Sequence, residues 1–431
     1  MRSFINKISA FFLRLNEGST LRRNFFLLAR ANIFSLALPI LAMPVLARIY
    51  QPSAFATLGL FMAAVAILSS FSTWRLDWVM PNSRSDVMSA SLFVAGVAFL
   101  AILIVLFLVG VTIFSLYFSD LSAATGLGWT LWLAVPILVA IGLRALLHGW
   151  LVRTGELDAV ARSTVVQSST NVVISLAAGI AGLVSIGLIL GATASSWAGI
   201  GMLVVRAGKR LSIALSRVKK RSIVTALKKY GKQATWSTLA SILNSISLHA
   251  PVLMLGALYP SQEVGWFVLM HRMIATPLGT FSTALGNSFW SNAASLARRR
   301  DMLELSRVYH TVTRRLVLAS LPIVVICLSG PLFVGPLLGE KDWSGAGAVL
   351  AAMTPLFVGG LLFSPTNHLA VLGKQELQLL VGGLRLGLVG LGITAAYALD
   401  LGFVAAVAFL SSGSFLGYLA IHLIQIREHA K

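Results

Sequence analysis

No charged side chain stands between Asp86 and Asp120. A helix over 89–116 is about 42 Å long at 1.5 Å per residue, more than the roughly 30 Å of hydrocarbon in a bilayer. In hydrocarbon every backbone N–H and C=O must find its partner within the protein, so only helices or closed barrels span. Strict apolar–polar alternation is absent, which removes the barrel. Comparable runs recur from end to end. They predict twelve spans, at 28–49, 55–75, 89–116, 130–152, 164–182, 186–206, 233–257, 263–290, 312–337, 346–371, 377–398 and 402–425. Only 11% of residues are charged, against about 25% in soluble domains. The expectation is an all-α integral membrane protein of about twelve transmembrane helices.

The formal net charge is +20. On a soluble chain that would suggest nucleic acid. Here the cations fall in short connections between apolar spans, where they set topology. Twelve spans put both termini on one face, and the positive-inside bias makes that face cytoplasmic. Only Arg48 and Lys341 fall near the opposite ends. Residues 1–27 do not follow a signal-peptide pattern, because Arg2, Lys7 and Arg14 interleave with an apolar stripe. They predict an amphipathic helix on the cytoplasmic membrane surface. Cys327 is the only cysteine, so no internal disulfide can form, and a buried apolar position is expected.

One stretch occurs twice. "PVLARIYQPSAF" begins at Pro44 and "PVLMLGALYPSQEVG" at Pro251, close to half the chain apart. Each lies at the end of a predicted span, the first and the seventh. The most basic connection, 207–232, falls between the sixth and seventh spans. The expected organisation is a cytoplasmic segment 1–27, a six-helix lobe 28–206, the connection 207–232 and a second lobe 233–431. Parallel repeats of this kind pack about a pseudo-two-fold axis along the membrane normal, with a site between them near the midplane.

The residues that carry a resemblance are "LPILAMPVLARIYQPSAF", "TWRLDWVMPNSRSD" and "GLILG" in the first half. In the second half they are "LHAPVLMLGALYPSQEVGWFVLMHRMIATPLGT", "LLGEKDWSGAG" and "LLFSPTNHLAVLGKQ". In their order and spacing the chain resembles the polysaccharide transporter branch of the multidrug/oligosaccharidyl-lipid/polysaccharide superfamily, which includes the O-antigen flippases. It departs from that pattern at Ala56, where the family has glycine, and at Asp77, where it has glutamate. The resemblance implies a MATE-like fold of two six-helix bundles. It also implies a translocase in a bacterial plasma membrane. Its substrate would be an undecaprenyl-diphosphate-linked oligosaccharide, carried from the inner to the outer leaflet for O-antigen, capsule or exopolysaccharide synthesis. No cofactor is implied, and no residue pattern names a coupling ion. Membrane lipids and other glycan-assembly membrane proteins are the further expected partners.

A diphosphate-sugar head group needs a hydrated cavity with cations, since a charge at the bilayer centre costs at least about 3 kcal/mol. Arginine suits this role, because its fork offers two hydrogen bonds to phosphate and keeps its charge. Arg272 is expected in mid-bilayer in the eighth span, as a diphosphate ligand or half of a structural ion pair. Arg385 and Arg144 are the next intramembrane candidates, Arg385 with Glu376 as an alternative structural partner. Arg75 and Asp77 mark the inner end of the second span, as a gate or an anchoring pair. Arg30 stands at the inner mouth of the first. Asn244, His249, Asn367 and His368 offer polar groups for sugar hydroxyls or for bonds between helices. Pro251 and Pro365 would free backbone carbonyls beside them and are gating candidates.

Several function classes fit the residues poorly. There is no His-Glu-x-x-His, no P-loop and no metal-ligand cluster, and the outer loops are short with few carboxylates. A membrane-embedded glycan enzyme is therefore disfavoured. A cation-coupled multidrug exporter of the same superfamily commonly uses a buried carboxylate. The first, third, seventh, ninth and tenth spans have no Asp or Glu at their apolar centres. A scaffold that docks glycan-assembly proteins on the basic connection remains compatible with transport.

Overall fold

The computed structural model describes residues 19–117, 129–184, 186–299, 301–339, 342–369 and 375–429. The greater part of the expected surface helix, residues 1–18, lies outside them. Among the described residues the secondary structure is helix and turn, without strands. The helices are α1 (Ser19–Ile49), α2 (Pro52–Ser69), α3 (Asp86–Tyr117), α4 (Ala134–Thr154) and α5 (Leu157–Ile180). α6 is broken, as Gly187–Trp197 and Ile200–Ser216. α7 (Lys220–Leu258) and α8 (Ser261–Arg298) follow. α9 (Met302–Leu328 and Gly330–Leu338) and α10 (Ala346–Ala352 and Thr354–Phe363) are broken too. α11 (Gln375–Ala398) and α12 (Phe403–His429) complete the chain.

Each predicted span overlaps one of these helices. Among the described residues eight are long and apolar enough to cross a bilayer, α10 makes nine if its two pieces, bent by 40°, count as one span, and α1 contributes a shorter apolar helix, Phe34–Ile49. The chain is a multi-pass membrane protein. α5 and α8 miss the apolar criterion; both carry polar residues that line the cavity described below. The expected connection 207–232 is helical except at 217–219 and at a kink at Gly208. Its lysines, arginines, leucines and alanines are good helix formers, so α6 and α7 run on past the apolar zone.

The helix pairing recurs along the chain. α1 packs on α5 and α7 on α11; α5 packs on α6 and α11 on α12; α3 packs on α4 and α9 on α10. α2 and α8 pack on each other.

The core is distributed unevenly. At the end of the bundle away from the basic residues, one apolar cluster takes side chains from both halves, including Tyr50, Phe55, Val264, Phe267 and Trp343. The buried Trp343 indole donates to the carbonyl of Ala47 at 2.9 Å. Arg48 donates to the carbonyl of Leu337 at 3.2 Å. Helices approach closely there because Gly265 has no side chain: an added Cβ would lie 1.9 Å from the Pro52 carbonyl oxygen. Cys327 is buried in the same cluster.

Toward the basic end the clusters separate. Among the described residues two belong to the first half, joined by Ala226, Tyr230 and Ala234 and their neighbours from the start of α7. Three belong to the second half alone. At this end Asp86 pairs with both Arg153 and Arg210, tying α3, α4 and α6 together. The molecule is thus sealed at one end and parted at the other.

Candidate functional site

Parting the halves leaves a cavity of about 1260 Å³ between α2, α4, α5, α6, α7 and α8. Three arginines from three places in the sequence line it: Arg75, Arg144 and Arg272. His148, His249 and His271 join them, with a single carboxylate among the described residues, Asp77.

Local structure explains how each arrives. After α2 the chain turns through Trp74 and Arg75, both with φ near +50°. This left-handed backbone is costly for side chains of that size. Two contacts hold it. The Trp74 indole donates to the Thr235 hydroxyl at 3.0 Å, and its ring stacks on Phe99. Arg75 lies with its guanidinium carbon 5.2 Å from the centre of the Trp78 ring, and its buried Nε meets no hydrogen-bond partner among the described residues. Asp77 accepts from Thr73 at 2.6 Å rather than pairing with Arg75. Arg144 and His148 sit one turn apart on α4, so both face the cavity.

Arg272 comes from the second half and reaches into the first. It lines the cavity and also caps a cleft of about 10 Å³ among Pro39, Met43, Phe55 and Asn171. It stands eleven residues into α8, about 16 Å from that helix's start at 1.5 Å per residue. Among the described residues no carboxylate lies within ion-pair distance of Arg75, Arg144 or Arg272. With the imidazoles neutral, the described lining carries two net positive charges in a low-dielectric setting, where they attract an anion strongly.

A second cavity, of about 610 Å³, lies within the second half and shares a wall with the first at Leu248, Val252, His271 and Ala275. Arg385, Asn367, Pro251 and Pro365 line it. Two expected cavity residues fall elsewhere. Asn244 is exposed on α7 and lines neither cavity. His368 is fully buried in a polar network: Gln425 donates to the Thr366 carbonyl at 3.2 Å and accepts from Tyr309 at 2.9 Å, and its amide lies 3.3 Å from His368 Nδ1. That network packs α9 and α12 against the end of α10. Arg30 belongs to α1, with its side chain outside the described part.

Gln167, Asn171, Ser195 and Ser196 also line the first cavity, and the sequence reading misses them. A signal exists. Gln167 and Asn171 stand one turn apart on α5, as Arg144 and His148 do on α4, and such spacing marks a polar stripe.

The arrangement can hold a doubly charged anion between the halves and present hydroxyls and amides around it. A family model described as polysaccharide biosynthesis protein matches residues 45–346. No curated protein sequence matches the chain. Among solved structures, it is similar to a lipid II flippase, MurJ, in an inward closed conformation. That match has a TM-score of 0.70 at 13% identity and covers 93% of this chain and 87% of that one. It is also similar to a multidrug resistance MATE family transporter in an inward-facing conformation, with a TM-score of 0.60 at 14% identity, covering 93% and 98%. A third match is the eukaryotic MATE transporter AtDTX14, with a TM-score of 0.57 at 14% identity, covering 94% and 98%. At these identities the likeness is one of fold.

Proposed function

The chain belongs to the polysaccharide biosynthesis protein family, and from that premise we propose that it is a lipid-linked oligosaccharide flippase. It carries a glycan on undecaprenyl diphosphate from the inner to the outer leaflet of a bacterial plasma membrane, supplying O-antigen, capsule or exopolysaccharide synthesis. The observation that carries this reading is the meeting of Arg75, Arg144 and Arg272 in one cavity beside a single described carboxylate, Asp77. A diphosphate diester bears about two negative charges, the complement of that cavity, and arginine forks suit its oxygens. A cationic drug would meet the wrong sign of field. The same charge argument keeps Asp77 in a supporting place, at the mouth with Arg75.

Two lobes, 28–206 and 233–431, rock in this mechanism so that the cavity opens to each side in turn. The recurring helix pairing supports that division. The positive-inside bias assigns the basic end to the cytoplasm, so the cavity takes substrate from the inner leaflet. A cysteine placed at Leu215, with Cys327 replaced, is expected to react with an impermeant maleimide only after the membrane is permeabilised. A cytoplasmic reporter fused at Lys431 should be active. Labelling at position 215 in intact spheroplasts would reverse the orientation.

Cells lacking the protein are expected to accumulate a lipid-linked glycan reachable by enzymes only from the cytoplasmic side. Accumulation of a glycan already exposed on the outer leaflet would instead place the protein after translocation and overturn the flippase reading.

A further inference from the structure

The second cavity has a chemistry of its own. Among the described residues, no aspartate, glutamate or lysine lines it. Its polar groups are hydroxyls such as Thr283 and Ser414, the Asn367 amide, the His271 imidazole in the shared wall and one guanidinium, Arg385; Trp290 and Tyr418 are among its rings, with Phe267 and Phe357. Amides and hydroxyls match sugar hydroxyls, and aromatic faces match the apolar faces of pyranose rings. The cavity follows one face of α8 from His271 to Trp290, about 28 Å at 1.5 Å per residue, long enough for several sugars.

Arg385 is the feature that neutral sugar binding leaves unexplained. It stands ten residues into α11, about 15 Å from the helix start. Its guanidinium carbon lies 5.0 Å from the centre of the Tyr418 ring. Its stem occupies the space beside Gly417, where a Cβ would come within 2.5 Å of it, so α12 is shaped to admit the side chain. No described carboxylate lies within ion-pair distance, Glu376 included. A cation at this depth needs an anion or water. The diphosphate already has three arginines in the neighbouring cavity.

Resting on the flippase reading, we infer that the second cavity holds the glycan and that Arg385 recognises a carboxylate-bearing sugar within it. The exported polysaccharide is then acidic, with a uronic acid or similar residue near the lipid end. A guanidinium held against a ring presents its fork in a fixed plane, which suits a carboxylate and gives a lysine no equivalent.

The test uses the full chain in nanodiscs with three synthetic probes: a polyprenyl diphosphate, its glucose-terminated disaccharide and its glucuronate-terminated disaccharide. Wild type is expected to bind the glucuronate probe at least about tenfold more tightly than the glucose probe, the effect of one charge-assisted contact. Arg385→Gln should erase that preference and leave the other two affinities unchanged; Arg385→Lys should keep part of it. Arg272→Ala should weaken all three alike. Tight binding of both disaccharides without preference would overturn the acidic-sugar inference and leave the flippase reading intact. So would an Arg385→Gln loss as large for the bare carrier as for the glucuronate probe, which would make Arg385 a diphosphate ligand. Binding of none of the three would overturn the flippase reading and this inference with it.

Discussion

Arg272→Ala is expected to abolish glycan export while leaving the protein folded and inserted. Among the described residues Arg272 is the one arginine of its cavity that comes from the second half, and it projects among Pro39, Met43, Phe55 and Asn171 of the first. A bound diphosphate would therefore join the halves through this side chain. A charge-assisted hydrogen bond contributes up to about 3 kcal/mol, and losing that much lowers carrier affinity on the order of a hundredfold. Arg272→Lys keeps the charge and loses the two-pronged geometry, so partial export should remain. Arg144→Ala should cost less, because Arg144 does not reach across to the other half, and Arg385→Ala should cost less, because Arg385 lines the second cavity and not the one that holds the diphosphate. The measurement is surface glycan in a deletion strain carrying each variant, normalised to membrane protein. Full export by Arg272→Ala at normal abundance would make the residue a packing element and leave the cavity without its cross-half cation.

The arginines are visible in the sequence because a charge within an apolar span is too costly to be casual. The helices are visible too, since hydrocarbon leaves the backbone no other partner. Uncharged polar residues are harder to sort. Asn244 and Asn171 look alike in sequence, each inside a span, yet one is exposed and the other lines the cavity. His368 and His249 present the same ambiguity. His368 is consumed by Gln425 and the Thr366 carbonyl, partners that no local pattern reveals.

Helix ends show a related limit. Hydropathy carries the second span to residue 75, but α2 stops at Ser69. The Ser69, Ser70 and Ser72 hydroxyls donate to the carbonyls of Ala66, Ile67 and Ser69, competing with the backbone for helical acceptors. The chain then turns through Trp74 and Arg75, which brings the guanidinium to the cavity mouth. The repeated Pro-Val-Leu stretch, by contrast, is legible in the sequence as a doubled element. Its two copies lead into Pro52 and Gly265, and these are the residues that meet at the sealed end.

Gly265→Val is expected to break that seal. A Cβ at this position would lie 1.9 Å from the Pro52 carbonyl oxygen and 2.4 Å from its carbon. Backbone cannot rotate aside as a side chain can, so α8 and the start of α2 must separate. Overpacking of this kind costs about 3 kcal/mol, enough to change the ratio of sealed to open molecules on the order of a hundredfold. The cost falls on one conformation only, because the contact disappears when the halves part at this end. Export should then fail for a reason opposite to that in Arg272→Ala: the carrier still binds, but the cavity no longer closes to the outside. A cysteine replacing Ala56, which is 1% exposed in this state, reports the difference in a Cys327→Ser background. Impermeant maleimide applied from the outer face should react with it at least about tenfold faster in the Gly265→Val protein, in line with that population shift. Gly110→Ala is the matched control, since a Cβ there meets nothing within 4 Å. Unchanged labelling together with full export in Gly265→Val would show that the tight approach of α8 to Pro52 is not the closure on which alternating access turns.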